Sequence, residues 1–298
     1  MEAHPTTTQT SSDPHQTLLQ QALLQRGLQT LEATSRTFYI PISRLPPGLL
    51  EAVGSAYLCL RAIDEIEDHP TLDCPSKERL LRDLSRALQA SVESFDGQAL
   101  LMHTSPYREK LAQVTLQVAD WLALAPASIA PRIWDATAAM ADRMADWAAC
   151  NWRVRTEADL DRYTFSVAGT VGLMLSDLWG WFDGTLTDRV QAIGFGRGLQ
   201  AVNILRNRAD DLRRGVDFVP DGWEAGFPGR MHDYARRNLS YADAYLASLP
   251  EGPARQFCRI PLILAHATLE ALAQGRSRLE RSEVLRLIEP APAGQSTT

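Results

Sequence analysis

Apolar residues recur at three- and four-residue spacing along almost the whole chain, and alternating β-type segments are nearly absent. Leu18, Leu19, Ala22, Leu23, Leu24 and Leu28 already form one broad helical stripe. The same periodicity predicts helices over about 49–68, 76–98, 107–123, 128–152, 156–181, 187–213, 232–248 and 253–275. Pro41 to Gly48 carries three prolines and reads as a connector. Thr156 with Asp159 three residues on resembles a capping box, and Thr187 before Asp188 is a plausible N-cap. With no repeat and no internal linker, the expectation is an all-α single domain over 16–287. The polar stretch 1–15 is expected to be disordered and the Pro-, Ala- and Ser-rich 288–298 a flexible tail.

Composition excludes several functions. A formal net charge of −6 without a basic stripe speaks against nucleic acid. An acidic chain that binds an anion must bring local cations, either arginines or metal ions. The cysteines Cys59, Cys74, Cys150 and Cys258 lack any zinc spacing and read as small buried hydrophobes. Gly194, Gly196 and Gly198 echo a glycine-rich nucleotide loop, but no strand precedes them. The longest apolar stretch, Val167 to Phe182, is broken by Asp177 and falls short of the roughly 18–20 residues of a spanning helix. No secretory leader is visible at the N-terminus. The expectation is a cytoplasmic protein without a transmembrane anchor, with peripheral membrane contact open to one that handles a lipid-like substrate.

Two segments carry the chemistry. In the first, Tyr57, Arg61, Asp64 and Asp68 share one face of a helix whose other positions are apolar. Like charges four apart destabilise a helix by roughly 0.2–0.5 kcal/mol, so a helix end that keeps four acids in five positions is either a solvated terminus or a working site. In the second, Gln200, Asn203, Asn207 and Asp211 line one face of another helix; the rival reading is a polar seam between helices. Taken together, the two rows suit Mg2+, a hard cation that takes carboxylate oxygens and shares its shell with water and substrate phosphates. Tyr57 and Gln200 extend the rows as further candidate diphosphate contacts, and Arg61, Arg206, Arg213 and Arg214 can donate to phosphate oxygens. Arg213 and Arg214 could equally be C-terminal cations complementing a helix dipole.

These segments resemble the aspartate-rich motifs of the squalene/phytoene synthase family, the head-to-head prenyl transferases. Ser35-Arg36-Thr37-Phe38, Tyr163 to Gly172, and Asp217-Phe218-Val219-Pro220 resemble three further family elements in the family's order. The resemblance implies an all-α isoprenoid synthase fold around a central apolar cavity. It implies Asp64 and Asp68 as Mg2+ ligands, with Asn203, Asn207 and Asp211 serving the second row. Ser35, Arg36 and Arg61 would contact diphosphate, Tyr163 would stand near the cyclopropane-forming proton transfer, and Phe38 would face the carbocation. Two positions depart from the pattern: Asn207 stands where the family carries aspartate, and Val216 where it carries arginine, a place that Arg213 or Arg214 could fill.

The implied substrate is a prenyl diphosphate, with farnesyl diphosphate favoured. The implied reaction is condensation of two copies through presqualene diphosphate to squalene or a related C30 product, with NADPH as reductant in the squalene case. Leu60 to Asp64 looks more like the squalene branch than the phytoene branch. The alternatives are a phytoene or dehydrosqualene synthase without NADPH, a cyclase acting on one prenyl diphosphate, and a non-catalytic helical partner of an isoprenoid enzyme. Gly169 and Gly172, in an apolar helical stretch, either relax the helix beside the substrate or let two helices pack closely.

Overall fold

A computed structural model describes residues 14–90 and 97–288, and every regular element among them is helical. In chain order these are α1 (Pro14–Thr34), α2 (Arg36–Ser43), α3 (Leu49–Glu67), α4 (Cys74–Ala90), α5 (Gly97–Thr104), α6 (Gln113–Leu116), α7 (Val118–Ala123), α8 (Ala130–Ala149) and α9 (Glu157–Thr164). A π-turn (Phe165–Gly169) then leads to α10 (Thr170–Asp183), α11 (Arg189–Arg213), α12 (Gly229–Ser248), α13 (Pro253–Ala273) and α14 (Arg281–Ile288). Outside these residues lie most of the two expected tails, 1–13 and 289–298, and part of the expected helix 76–98.

The long helices follow the apolar periodicity because each buries one stripe. On α3 the buried residues include Val53, Ala56, Cys59, Ile63 and Ile66. Its polar row is left to face inward across a cavity rather than into a neighbouring helix. Two buried hydroxyls fix α3 in place: Ser55 Oγ donates to the Trp121 carbonyl at 2.7 Å, and Thr115 Oγ1 donates to the Ala62 carbonyl at 3.0 Å. The capping box at Thr156 and Asp159 is present. Asp188, not Thr187, caps α11, accepting from the Gln191 N–H at 2.8 Å. A carboxylate one residue closer to the first turn wins the cap.

Other expectations fail where periodicity is blind to tertiary hydrogen bonds. The predicted helix 107–123 is broken into a 3-10 turn (Ser105–Tyr107), α6 and α7. There Trp121 Nε1 donates to the Val114 carbonyl at 2.8 Å. The 41–48 connector is shorter than predicted, because α2 runs through Pro41 to Ser43. Pro41 removes the N–H that would reach the Thr37 carbonyl, and Thr37 is an exposed residue. Helix 128–152 ends at Ala149, where Asn151 and Trp152 take positive φ of 53° and 50°. Cys59 and Cys258 are buried as expected, whereas Cys74 is half-buried and Cys150 exposed.

The π-turn and α10 pack so closely on α11 that side chains have no room. A Cβ on Gly172 would lie 2.0 Å from the Ala192 carbonyl oxygen, and one on Gly196 2.0 Å from the Ala168 carbonyl oxygen. Close packing is therefore a sufficient reason for Gly172. Alanine is the better helix former by about 1 kcal/mol, but overpacking a tight core costs about 1–3 kcal/mol. Backbone on both sides of the contact leaves little freedom to relax. Gly172→Ala is thus expected to lower the unfolding free energy by about 2 kcal/mol, seen as a lower urea midpoint at unchanged slope; an unchanged midpoint would sink the contact argument.

Candidate active site

A cavity of about 660 Å³ runs between α2, α3, the π-turn, α10, α11 and α13. Most of its wall is apolar, with Phe38, Leu60, Val171, Met174, Leu199 and Phe257 among the lining residues. Polar groups gather where the C-terminal ends of α3 and α11 meet. Tyr57, Arg61, Asp64 and Asp68 from α3 line it, as do Gln200, Asn203, Arg206, Asn207 and Asp211 from α11, together with Arg214, Ser35 and Tyr163. The two rows read from sequence therefore share one cavity.

One guanidinium joins them. Arg214 donates through one nitrogen to Asp68 and through the other to Asp211, the latter at 2.6 Å. Asp211 is buried and its carboxyl is pushed up by that burial, with Arg214 pulling the other way. Asp64 is pushed up to about 6, by burial first and then by Asp68, against the opposing pull of Arg61. A third of the Asp64 side chain is open to the cavity (34%), but the surrounding shell is protein, so water stabilises the charge only from one side. Arg61 donates to Asp64 at 2.7 Å and also to Glu65; its Nε is buried without a partner among the described residues. Burial opposes the Arg61 charge, but Asp64 and Glu65 outweigh it and hold the proton more firmly.

The second row is a hydrogen-bonded ladder. The Asn203 side-chain oxygen accepts from Arg206 at 2.7 Å and from the Asn207 amide at 3.1 Å, and the Asn207 oxygen accepts from Arg206 Nε at 3.2 Å. Tyr163 is buried, stacked on Phe218 at 4.2 Å between centroids and edge-on to Trp147 at 5.4 Å. Burial raises its pKa well above the ordinary tyrosine range, and the Glu67, Asp64, Asp68 and Asp211 carboxylates raise it further. Ser35 caps α2, accepting from the Phe38 N–H at 3.3 Å, and burial raises the pKa of Tyr57, with Ser35 pulling the other way; the Tyr57 ring lies 5.5 Å from that of Phe38.

Arg213 is a correction. It is largely exposed, pairs with Asp210 at 2.7 Å, and does not line the cavity. Its neighbour Arg214 turns inward instead, because one residue of helix rotates a side chain by about 100°. The side chain of Arg36 lies outside the described residues.

Three residues at or beside the cavity are not among the site residues named from the sequence. Glu67 lines the cavity, is only 8% exposed, and is pushed well above the ordinary carboxylate range by burial and by Asp68 and Asp64. Its place in an acid-rich helix end was the available signal. Lys77 of α4 is buried; its Nζ donates to the Glu67 carbonyl at 2.5 Å and lies 4.9 Å from the Trp152 ring centre. Arg278, between α13 and α14, lines the cavity with no ion pair among the described residues. Nothing in the local sequence marked it. Leu279 and Val284 also line this side. Around them, Ile260, Leu264 and Ile288 form a small apolar cluster separate from the main core.

Arg214 offsets two carboxylates that would otherwise face one another. Arg214→Met is expected to cost about 1 kcal/mol at low salt, less when salt screens the remaining repulsion. Urea unfolding at two ionic strengths checks this; equal stability of the two proteins at low salt would mean that the bridge adds nothing to the fold.

The Squalene/phytoene synthase family model matches residues 31–287. A squalene synthase of Eremothecium gossypii is 32% identical over 295 residues, covering 88% of this chain and 65% of that protein. The human squalene synthase is 29% identical over 266 residues, covering 81% of this chain and 61% of that protein. The chain thus spans less than two thirds of the length of these relatives. Among solved structures, TcSQS with the ligand BPH1237 aligns at TM-score 0.70 and 25% identity, over 90% of this chain and 85% of that one. A dehydrosqualene synthase in complex with ligand aligns at TM-score 0.66 and 18% identity, over 93% and 96%. Among the described residues no helix is long and apolar enough to cross a membrane. With an all-α isoprenoid synthase fold and a family match over most of its length, this chain belongs to the squalene/phytoene synthase family.

Proposed function

We propose that the chain is a prenyl transferase that joins two farnesyl diphosphates head-to-head, through presqualene diphosphate, to squalene or a related C30 hydrocarbon. The observation that carries this reading is the Asp68–Arg214–Asp211 bridge at the polar end of a chamber whose wall is mostly apolar, with Tyr163 buried beside it. Two carboxylates from different helices already converge on one cation, which fits an oxygen-donor site for a divalent ion. Asp64, Asp68 and Asp211 would hold Mg2+, with Asn203 and Asn207 as neutral oxygen donors. When bound, the ion would neutralise charge on the departing diphosphate.

The chain's own groups supply the rest. Arg61, Arg206, Arg214 and Arg278 give the diphosphates cationic donors, with Tyr57, Gln200, Ser35 and Arg36 as further polar contacts. Arg214 would take the part that the family gives to arginine at the place of Val216, whose side chain here packs against the apolar core. The apolar wall suits a prenyl tail: each buried methylene contributes roughly 0.8 kcal/mol, so a farnesyl chain gains on the order of 10 kcal/mol before binding costs. The same wall excludes water from a carbocation, and the Phe38 face offers it cation–π stabilisation. The Tyr163 hydroxyl, protonated and close to the carboxylates, would orient the proton lost when the cyclopropane forms. NADPH would deliver the hydride that ends squalene formation. Residues 16–287 would act as one domain, in a cytoplasmic protein that could meet the membrane peripherally.

Incubation with farnesyl or geranylgeranyl diphosphate and Mg2+, with and without NADPH, tests the assignment by product analysis. Squalene only with NADPH is expected. Phytoene, dehydrosqualene or a cyclic product would move the reaction to another branch, and no turnover of any prenyl diphosphate would leave a non-catalytic partner. Asp64→Ala is expected to abolish ionisation of the substrate. Asn207→Asp is expected to keep or improve turnover once the Asn203 amide turns its N–H₂ toward the new carboxylate; loss of activity there would overturn the view of Asn207 as a neutral ligand.

A further inference from the structure

The segment that leaves α11 is held by a contact that lies outside both rows. Arg208 grips Asp217 with two nitrogens, Nε to one carboxylate oxygen at 3.2 Å and a terminal nitrogen to the other at 2.7 Å. The same Asp217 accepts from the Val219 N–H at 3.0 Å, so the carboxylate fixes the backbone on either side of Phe218. Beneath the pair, the Arg208 guanidinium lies 4.0 Å from the centre of the Phe227 ring. Further along, the Asp221 N–H donates to the Arg155 carbonyl at 3.0 Å and closes the loop from its other end. Between these ties sits Phe218, 5% exposed, lying nearly parallel to Tyr163 with 17° between ring planes.

We propose that Arg208 and Asp217 are positioning residues for Tyr163, a clamp that sets where Phe218 lies and so fixes the ring and hydroxyl of Tyr163 in the cavity. The physical reason is that rings on two sides hold Tyr163 where it lines the cavity, so ring packing sets its rotation. Trp147 provides an edge and Phe218 the broad face. A two-point guanidinium–carboxylate contact fixes direction as well as distance, which a single ammonium does not. The pair keeps 22% and 33% of its side-chain surface open. Neutral variants can hydrate there and keep the fold, so the clamp acts through geometry more than through stability.

The inference rests on Tyr163 acting in the proposed reaction, and the test separates the two ideas. The protein is labelled with 3-fluorotyrosine and the resonance of residue 163 assigned by its loss in Tyr163→Phe. In Arg208→Gln and in Asp217→Asn that resonance is expected to move or broaden, because the Phe218 ring current changes. With farnesyl diphosphate, kcat is expected to fall about tenfold in each variant, the scale of a misplaced reacting group, with KM within twofold. Arg208→Lys should not rescue, the double neutral variant should be no worse than either single one, and the exchanged pair (R208D with D217R) should recover part of kcat. An unmoved resonance in both single variants, losses that multiply in the double variant, or an effect on KM alone would overturn the clamp. A shifted resonance with full activity in Tyr163→Phe would leave the clamp standing and overturn the role given to Tyr163.

Discussion

Bringing carboxylates from two helices to one point is the constraint on which this molecule is organised. Asp64, Glu67 and Asp68 end one helix, Asp211 ends another, and burial disfavours the charge on Asp64, Glu67 and Asp211. Cations standing among them offset their mutual repulsion. Arg214 does so across the cleft, Arg61 along α3, and Lys77 from behind, against the Glu67 carbonyl. The arrangement is held by packing that does not depend on those charges. Buried hydroxyls tie α3 to the α6–α7 region, and glycines let the π-turn and α10 sit directly on α11.

The π-turn belongs to the same logic. It falls between Tyr163 and Gly172, where α9 would otherwise continue smoothly into α10. The extra residue of a π-turn rotates the downstream helix about its axis relative to the upstream one. Tyr163 and Val171 thereby both line the cavity, while Phe165 turns outward against Arg143 and Arg197. Apolar wall and buried hydroxyl thus come from one nearly continuous helix.

Much of this was legible in the sequence because helix geometry is regular. A spacing of four puts Asp64 with Asp68 and Asn203 with Asn207 whatever the tertiary structure does, and those rows do share a cavity. Long-range contacts were not legible. Helical spacing places Arg214, three residues after Asp211, on the inward face and Arg213 beside Asp210, but nothing local marked that Arg214 would also reach Asp68 on α3. Arg278 stands far along the chain from both rows, and Lys77 lies a turn and a helix start beyond Asp68, so their approach depends on how α13 and α4 pack. The breaks within 107–123 were hidden for the same reason: an apolar period continues across a turn when hydrogen bonds such as that from Trp121 to Val114 hold the backbone elsewhere.

The two ends of the chamber differ in how firmly they are built. The charged end is crossed by ion pairs and backed by the main core. The side formed by Leu279 and Val284 leans on the short helix α14, whose apolar support is a small separate group around Ile260, Leu264 and Ile288. Local opening takes less free energy where fewer buried side chains must separate. That edge therefore yields first, so the chamber can change its apolar volume at α14 while its charged groups stay in register.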